Sequence, residues 1–496
     1  MLLDEIVIHN FRAIDRLNIT LNERLTVLHG DNGEGKSSVL RAIAVGLGQV
    51  PRFFGVRGLN FHEDDRREVG GRLAGPAAIL IGIKGIGTFA RTTNWASKRA
   101  VNKKNSVKSD APVNNAVFKD DKFPFSRIVN GIENNDPVEM PVFAFYGTDR
   151  VVIGLDRLGL PIRHRNFRTE FTRQGALDGA LEGKTNFKSA FEWFYATEND
   201  ELREQKERND QMYQIPRLKA VRAAIESMIP EVSNPHVTRR PLHFMVRYHK
   251  GDLAEDLYLE QLSGGYRVML ALVVDLARRM GQANPHMENP LESEAIVLID
   301  EVELHLHPSW QQRVLSDLLR TFPRTQFIVS THSPQVLTTV QPENVFSVRN
   351  EMGGVKLYST PGPTLGAEAG YVLQAEMNVE QRPTTDTGKA KQFVEELSRY
   401  QALIDNDQGE GEEALALRLQ LEEVSPRDPA LTKADAEIRR RTVLISNSVT
   451  SRILPGVHSP EAMRYSRPYR IGVVRSSGCH PCNSWLRERV NEMTTL

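Results

Sequence analysis

The residues with the clearest chemistry lie near the N-terminus. Gly30-Asp31-Asn32-Gly33-Glu34-Gly35-Lys36-Ser37 fits G-x-x-x-x-G-K-[ST] at every defined position. Glycines at those places let backbone N–H groups turn inward around phosphate oxygens, and the helix that follows offers its positive end. Lys36 would reach the β- and γ-phosphates, and the Ser37 hydroxyl would hold Mg²⁺. The bland alternative is a Gly-rich turn, but a strand before and a helix after supply the context the motif requires.

Three further segments belong to the same argument. Ala295-Ile296-Val297-Leu298-Ile299 is an apolar run ending in Asp300-Glu301, the pattern of a strand buried in a parallel sheet. Asp300 would support the Mg²⁺ shell, partly through water, and Glu301 is placed to polarise an attacking water. Alone, such a run is common; beside a phosphate loop it is the second half of one site. Leu262-Ser263-Gly264-Gly265 opens a helix whose exposed N–H groups and hydroxyl can meet an anion, or serve as a plain cap. His332, in Ser330-Thr331-His332-Ser333-Pro334, follows a strand; in isolation it would read as a structural histidine.

The elements that must position these groups follow from periodicity. Residues 3–9 and 24–29 alternate as strands, and 37–47 carry apolar residues at helical spacing. Residues 77–92 read as a strand pair, 100–139 as a long polar loop, 142–146 as a strand and 168–229 as helix. Phe187, Phe191, Phe194 and Tyr195 form one stripe of that helical region. Strands are expected at 242–249, 295–299 and 326–330, and helices at 262–281, 309–321 and 388–441. The predicted class is α/β, with a mixed sheet, a short helical lid insertion and a helical C-terminal extension.

Composition narrows the rest. The 496 residues hold 63 Lys plus Arg and 63 Asp plus Glu, a formal charge of zero, which argues against a globally basic nucleic-acid coat protein. No run approaches the ~20 apolar residues of a membrane span, so no membrane association is expected. The start, with Asp4 and Glu5, lacks the pattern of a signal peptide. Two cysteines, Cys479 and Cys482, exclude a disulfide framework and point to a cytoplasmic protein. Residues 439–496 hold ten Arg, no Lys and three Glu, a local net charge of +7.

Taken in order, the phosphate loop, LSGG before a helix, the strand ending in Asp-Glu and the Ser-Thr-His run resemble an ABC-type ATPase. The start LDEIVIHNFRAIDRLNITL and the run IDEVELHLHPSWQQRVLSDLL resemble its SMC/RecF/OLD-like branch. The compact head and the short extension EEALALRLQLEEVSPRDPALTKADAEIRRR resemble the PtuA-type ATPases of Septu and retron-associated antiphage systems, over about residues 1–441. This resemblance implies that Asn32, Gly33, Glu34, Gly35, Lys36, Ser37, Ser38 and Arg12 bind nucleotide. It also implies that Glu301 and His332 act in hydrolysis, with His332 on the γ-phosphate. Ser263, Gly264 and Gly265 would reach the nucleotide of a second subunit, and Ser37 and Asp300 would hold Mg²⁺. The implied cofactors are ATP and Mg²⁺. The implied partners are a second copy of the chain or a higher oligomer, an HNH nuclease of the PtuB kind, nucleic acid and, in retron forms, a reverse transcriptase with its multicopy single-stranded DNA.

The expected organisation is an N-terminal ATPase lobe (1–150) with the polar insertion at about 100–139, and a helical lid or short arm (151–261). A C-terminal ATPase lobe (262–375), a helical extension for partner binding (376–441) and an unassigned basic tail (442–496) follow. Prolines at 216, 230, 235 and 241 rule out long heptad arms, and a hairpin using all of 168–229 would reach only about 45 Å. The alternative function is a RecF-like DNA-repair ATPase; a transporter subunit is disfavoured by the N-F-R start and the HLHP run. Nuclease activity within the chain is not expected: Asp405-Asn406-Asp407 imitates the D-x-D of a TOPRIM domain but sits in helical sequence. His305-x-His307 lacks a third zinc ligand, and Cys479-His480-Pro481-Cys482 supplies half a zinc site at most.

Overall fold

Polar and apolar residues alternate through β1 (Leu3–Phe11) and β2 (Ile14–Thr20), which bury Ile6, Ile8, Leu17 and Ile19 while Glu5 and Arg16 stay outside. Together with β6 (Ala78–Ile83) and β7 (Gly87–Thr92) they form an antiparallel sheet in the order β2-β1-β6-β7. The computed structural model describes residues 1–84, 86–93, 125–150, 171–184, 187–239, 242–360, 362–380, 382 and 388–452. Two compact units result, Met1–Gln381 and Arg382–Leu496.

The centre of the first unit is a six-stranded sheet in the order β15-β14-β3-β13-β12-β8. Its members β3 (Leu25–His29), β8 (Val142–Tyr146), β12 (Ala295–Ile299) and β13 (Thr325–Thr331) are buried at every residue. Covered on both faces, β8 and β12 read as continuous apolar runs rather than alternations. These four pair in parallel, as does β14 (Val345–Glu351) with β3, while β15 (Gly354–Ser359) closes the edge antiparallel. Helix α1 (Lys36–Leu47) leaves the end of β3 and lies against β6, with Gly46 facing Ile79 and Ile81. The short helix α2 (Val50–Phe53) and the two-residue strands β4 (Glu68–Val69) and β5 (Arg72–Leu73) follow.

Several elements depart from the sequence-based expectation. The polar stretch at 100–139 contains a helix, α3 (Ser126–Glu133), where Phe125 is buried against Phe53, Phe54 and Phe89. The helical stretch expected at 168–229 holds turns over its described start. Regular helix begins at α4 (Phe187–Glu207) and resumes at α5 (Pro216–Met228), where Pro216 takes the first helical turn. At 1.5 Å per residue, the 21 residues of α4 span about 31 Å. In the region expected as a helical lid, the strand expected at 242–249 is β10 (Leu242–Lys250), and two unexpected strands, β9 (Val232–Arg239) and β11 (Leu253–Tyr258), make it the centre of an antiparallel sheet. Phe244 on β10 receives Phe187, Phe191 and Phe194, so the aromatic stripe of α4 has a strand as its partner.

Helix α6 (Gly264–Ala283) follows β11 through a 3-10 turn. The helix expected at 309–321 is broken into α7 (Pro308–Gln311) and α8 (Val314–Thr321). Helices α9 (Pro334–Leu337) and α10 (Ala369–Ala375) complete the unit. The second unit stacks α11 (Lys389–Asp405), α12 (Glu412–Val424) and α13 (Pro429–Arg452) around Phe393, Tyr400, Ile404, Leu417, Leu421 and Leu431. Asp405 and Asp407 close α11 and pair with Arg441 at 3.4 and 3.1 Å. Among the described residues no helix is long and apolar enough to cross a membrane. The basic tail from 453 onward, with Cys479 and Cys482, lies outside the described residues.

Candidate functional site

Parallel register brings the motif strands to one edge. His29 lies opposite Thr331, Ile299 opposite Val329, and Ile299 opposite Tyr146. The turns after β3, β12, β13 and β8 therefore open side by side at the carboxyl ends of the strands, where open α/β sheets bind ligands.

The first turn is the Gly-rich loop. Gly30 and Gly35 adopt φ of 150° and 102°, and a Cβ on Gly30 would collide with the Val348 carbonyl oxygen. Gly35 caps α1 in the left-handed conformation. Asn32 and Gly33 are exposed, and Ser37 and Ser38 begin α1, Ser37 exposed. The Glu34 carboxylate accepts a hydrogen bond from the Asn350 amide, which ties the loop to the β14–β15 hairpin. Lys36 is 4% exposed, and its ammonium donates to the carbonyls of Gly30 and Asp31, each at 2.8 Å. Burial holds that ammonium below its usual pKa, against the opposing pull of Asp300, then Glu301, Asp31 and Glu303. Loop lysine and strand-end carboxylates thus share one electrostatic neighbourhood.

The carboxylate turn is pinned from two sides. Asp300 is buried and accepts from the Ser330 hydroxyl. Glu301 has φ 49°, a left-handed conformation rare outside glycine. Its N–H donates to Ser330 Oγ at 2.8 Å, and the Val302 N–H donates to the Ser330 carbonyl at 3.0 Å. Glu303 accepts from the Thr331 hydroxyl at 2.8 Å and from the His332 amide, which joins the turn after β12 to the turn after β13. His332 is half-buried there. His307 caps α7, accepting from the Ser309 amide at 3.3 Å.

Arg12 has φ 49° and pairs with the buried Asp65 at 2.9 Å, with Arg41 of α1 3.7 Å from the same carboxylate. Ser263 occupies the N-cap position of α6 without a side-chain capping hydrogen bond and is exposed, as is Gly264, which has open space about it. At Gly265 a Cβ would stand 2.7 Å from the His305 carbonyl oxygen, so this glycine lets α6 approach the segment after β12. Behind it α6 is anchored by a buried network: Asp275 takes Arg278 at 2.7 Å, Arg279 at 2.8 Å and the Tyr146 hydroxyl at 3.0 Å.

Sequence reasoning leaves three neighbours unsingled. Arg150, in the turn after β8, reaches the backbone of Gly147, Asp300 and Glu301. Glu303 bridges two turns. His29 is fully buried at the end of β3 with both ring nitrogens lacking a hydrogen-bond partner, and burial first, then the charges of Lys36 and Arg349, push it down to about 4. A carboxylate two residues past Asp-Glu and a histidine abutting the Gly-rich loop are the only sequence signals for the last two.

Residues 5–233 match a family model described as AAA domain, and residues 178–338 match one described as "AAA domain, putative AbiEii toxin, Type IV TA system". The chain is 28% identical to the Retron Ec83 probable ATPase of Escherichia coli, covering 88% of this chain and 86% of that protein. It is 26% identical to the Retron Vc95 probable ATPase of Vibrio cholerae, covering 82% and 84%. The Septu protein PtuA of Bacillus mycoides is 42% identical over 76 residues, 15% of this chain and 10% of that protein. In motif order, parallel sheet and convergent turns the chain resembles an ABC-type ATPase. Within that class, the chain resembles the retron ATPases and PtuA.

Proposed function

We propose that this chain binds and hydrolyses ATP, closes as a dimer upon it, and uses that closure to regulate a partner nuclease in antiphage defence. The observation that carries the catalytic part is the convergence of Lys36, Asp300 and Glu301 at one sheet edge. The defence role is supported by the likeness to retron ATPases and Septu PtuA over most of the chain in the first case and a shorter part in the second.

In this reading the loop amides and Lys36 hold the phosphates, with Asn32 to Ser38 lining them and Arg12 approaching from the β1–β2 turn. Lys36 exchanges its two carbonyl partners for phosphate oxygens. The buried carboxylate of Asp300 and the exposed hydroxyl of Ser37 are hard oxygen donors that suit Mg²⁺, which takes few protein ligands and completes its shell with water and phosphate. Held by Asp300 and Ser37, Mg²⁺ would supply neutralisation of phosphate charge. Glu301 orients the attacking water and His332 contacts the γ-phosphate. Exposed Ser263 and Gly264, backed by Gly265, face the nucleotide of a second subunit, so each site is completed by a partner copy. The helical unit after Gln381 is the proposed partner-docking element, for an HNH nuclease and, in a retron setting, a reverse transcriptase with its DNA.

The test is ATP turnover by the purified chain beside its mass by light scattering, with and without Mg-ATP. Turnover with an ATP-dependent doubling of mass is expected. Turnover at constant mass would keep the ATPase and remove the dimer, and failure to bind ATP would remove both.

A further inference from the structure

Burying a guanidinium is costly unless its donors are satisfied. Arg150 is 1% exposed, and burial draws it down to about 10 against the pull of Asp300, Glu303 and Glu301. Its Nη1 donates to the carbonyl of Gly147 at 3.0 Å and to that of Asp300, while Nη2 donates to the carbonyl of Glu301. The planar fork thus spans the backbone of both carboxylate residues, which the single point of a lysine ammonium cannot do.

That backbone needs holding. Left-handed φ at a residue with a Cβ is strained and persists only where its surroundings over-determine it. At Glu301 they do: its N–H is taken by Ser330 Oγ, and its carbonyl receives Arg150 Nη2 and the Leu304 N–H at 2.9 Å. A residue continuing the strand would obey the alternation of β12. The left-handed turn breaks that alternation and sets a new direction for the Glu301 side chain.

We propose that Arg150, acting with Ser330, is a positioning residue that fixes the left-handed turn at Asp300–Glu301 and so aims the Glu301 carboxylate during hydrolysis. The inference rests on the reading of Glu301 as the residue that orients water. Its action passes through the backbone, so nucleotide binding survives its loss while the chemical step does not.

The experiment is single-turnover ATP hydrolysis, with affinity for a labelled ATP analogue, for Arg150→Lys, Glu301→Gln and the double variant. Arg150→Lys is expected to lower the hydrolytic rate by about 10- to 100-fold, the order lost to misplacement of a catalytic group, with analogue affinity kept within about threefold. In the Glu301→Gln background the same change should cost nothing further, since residues acting as one unit are non-additive. Wild-type turnover in Arg150→Lys, or losses that multiply in the double variant, overturns the proposal. Wild-type turnover in Glu301→Gln overturns the reading of Glu301 itself. If Arg150→Lys fails to fold, Ser330→Ala decides: it removes the acceptor of the Glu301 amide, and a loss that vanishes in the Glu301→Gln background supports the brace, whereas a multiplying loss overturns it.

Discussion

A single ammonium carries most of the side-chain charge at the proposed phosphate site. Lys36→Ala is therefore expected to abolish nucleotide binding, measured with a labelled ATP analogue on the folded variant; unchanged binding would remove the phosphate-loop assignment. The carboxylates divide by position. Asp300 is buried beside Ser330, whereas Glu301 stands half-buried on a left-handed turn. Glu301→Gln should slow turnover by roughly 10² to 10⁴ while nucleotide stays bound, a typical loss for a positioned base, and Asp300→Asn should instead weaken Mg²⁺-dependent binding. Retained nucleotide beside turnover separates the two. His29 predicts a pH effect. Its folded pKa of about 4 lies below the ordinary 6.5, so between those values the unfolded chain binds the extra proton. Stability is full above about pH 6.5 and is lost as pH falls toward 4, by up to ~3 kcal/mol. Denaturant midpoints should show this slope flattened in His29→Leu; an unchanged slope would assign it to other groups.

At the scale of elements, α6 links the Ser-Gly-Gly cap to the sheet through buried charge. Asp275 is fully buried, Arg278 and Arg279 nearly so, and Tyr146 of β8 donates to the same carboxylate. Burial raises the Asp275 carboxyl, but Arg279 and Arg278 outweigh it and hold it below its usual range. Asp275→Asn removes the neutralising charge and strands two buried cations, a loss of about 3–5 kcal/mol. Urea unfolding of the variant should read that deficit at neutral pH. A loss below 1 kcal/mol would mean that the arginine contacts with the Ala176 and Asp178 carbonyls suffice to keep α6 in place.

For the whole molecule, the decisive question is where the two halves of the site meet. Ser263→Arg should leave ATP binding intact yet block hydrolysis and ATP-dependent closure, because the cap would serve a second subunit. Mixed with Lys36→Ala, it should regain a fraction of activity, since one wild-type composite site can form in the mixed dimer. Turnover of the mixture against each parent, with subunit exchange confirmed by native mass, checks this. A mixture as inactive as both parents would oppose a site shared between subunits.

The amino-acid sequence by itself determined the turns and strands that carry the motifs. Gly30 to Ser37 is legible because left-handed glycines and a helix start are local requirements, and β12 because five buried apolar residues ending in two acids suit a central parallel strand. The strand at 242–249 was legible, but the broken helix at 308–321, the helix hidden at 126–133 and the flanking strands β9 and β11 were not, since short or polar segments leave periodicity weak and packing partners decide them. Only the tertiary structure decided what surrounds the motifs. Arg150 meets Glu301 from 151 positions away, and Glu34 meets Asn350 from 316. Local spacing dictates backbone conformation, but it carries no record of which distant carbonyl a buried cation will satisfy; parallel register, set by the packing of whole strands, makes that choice.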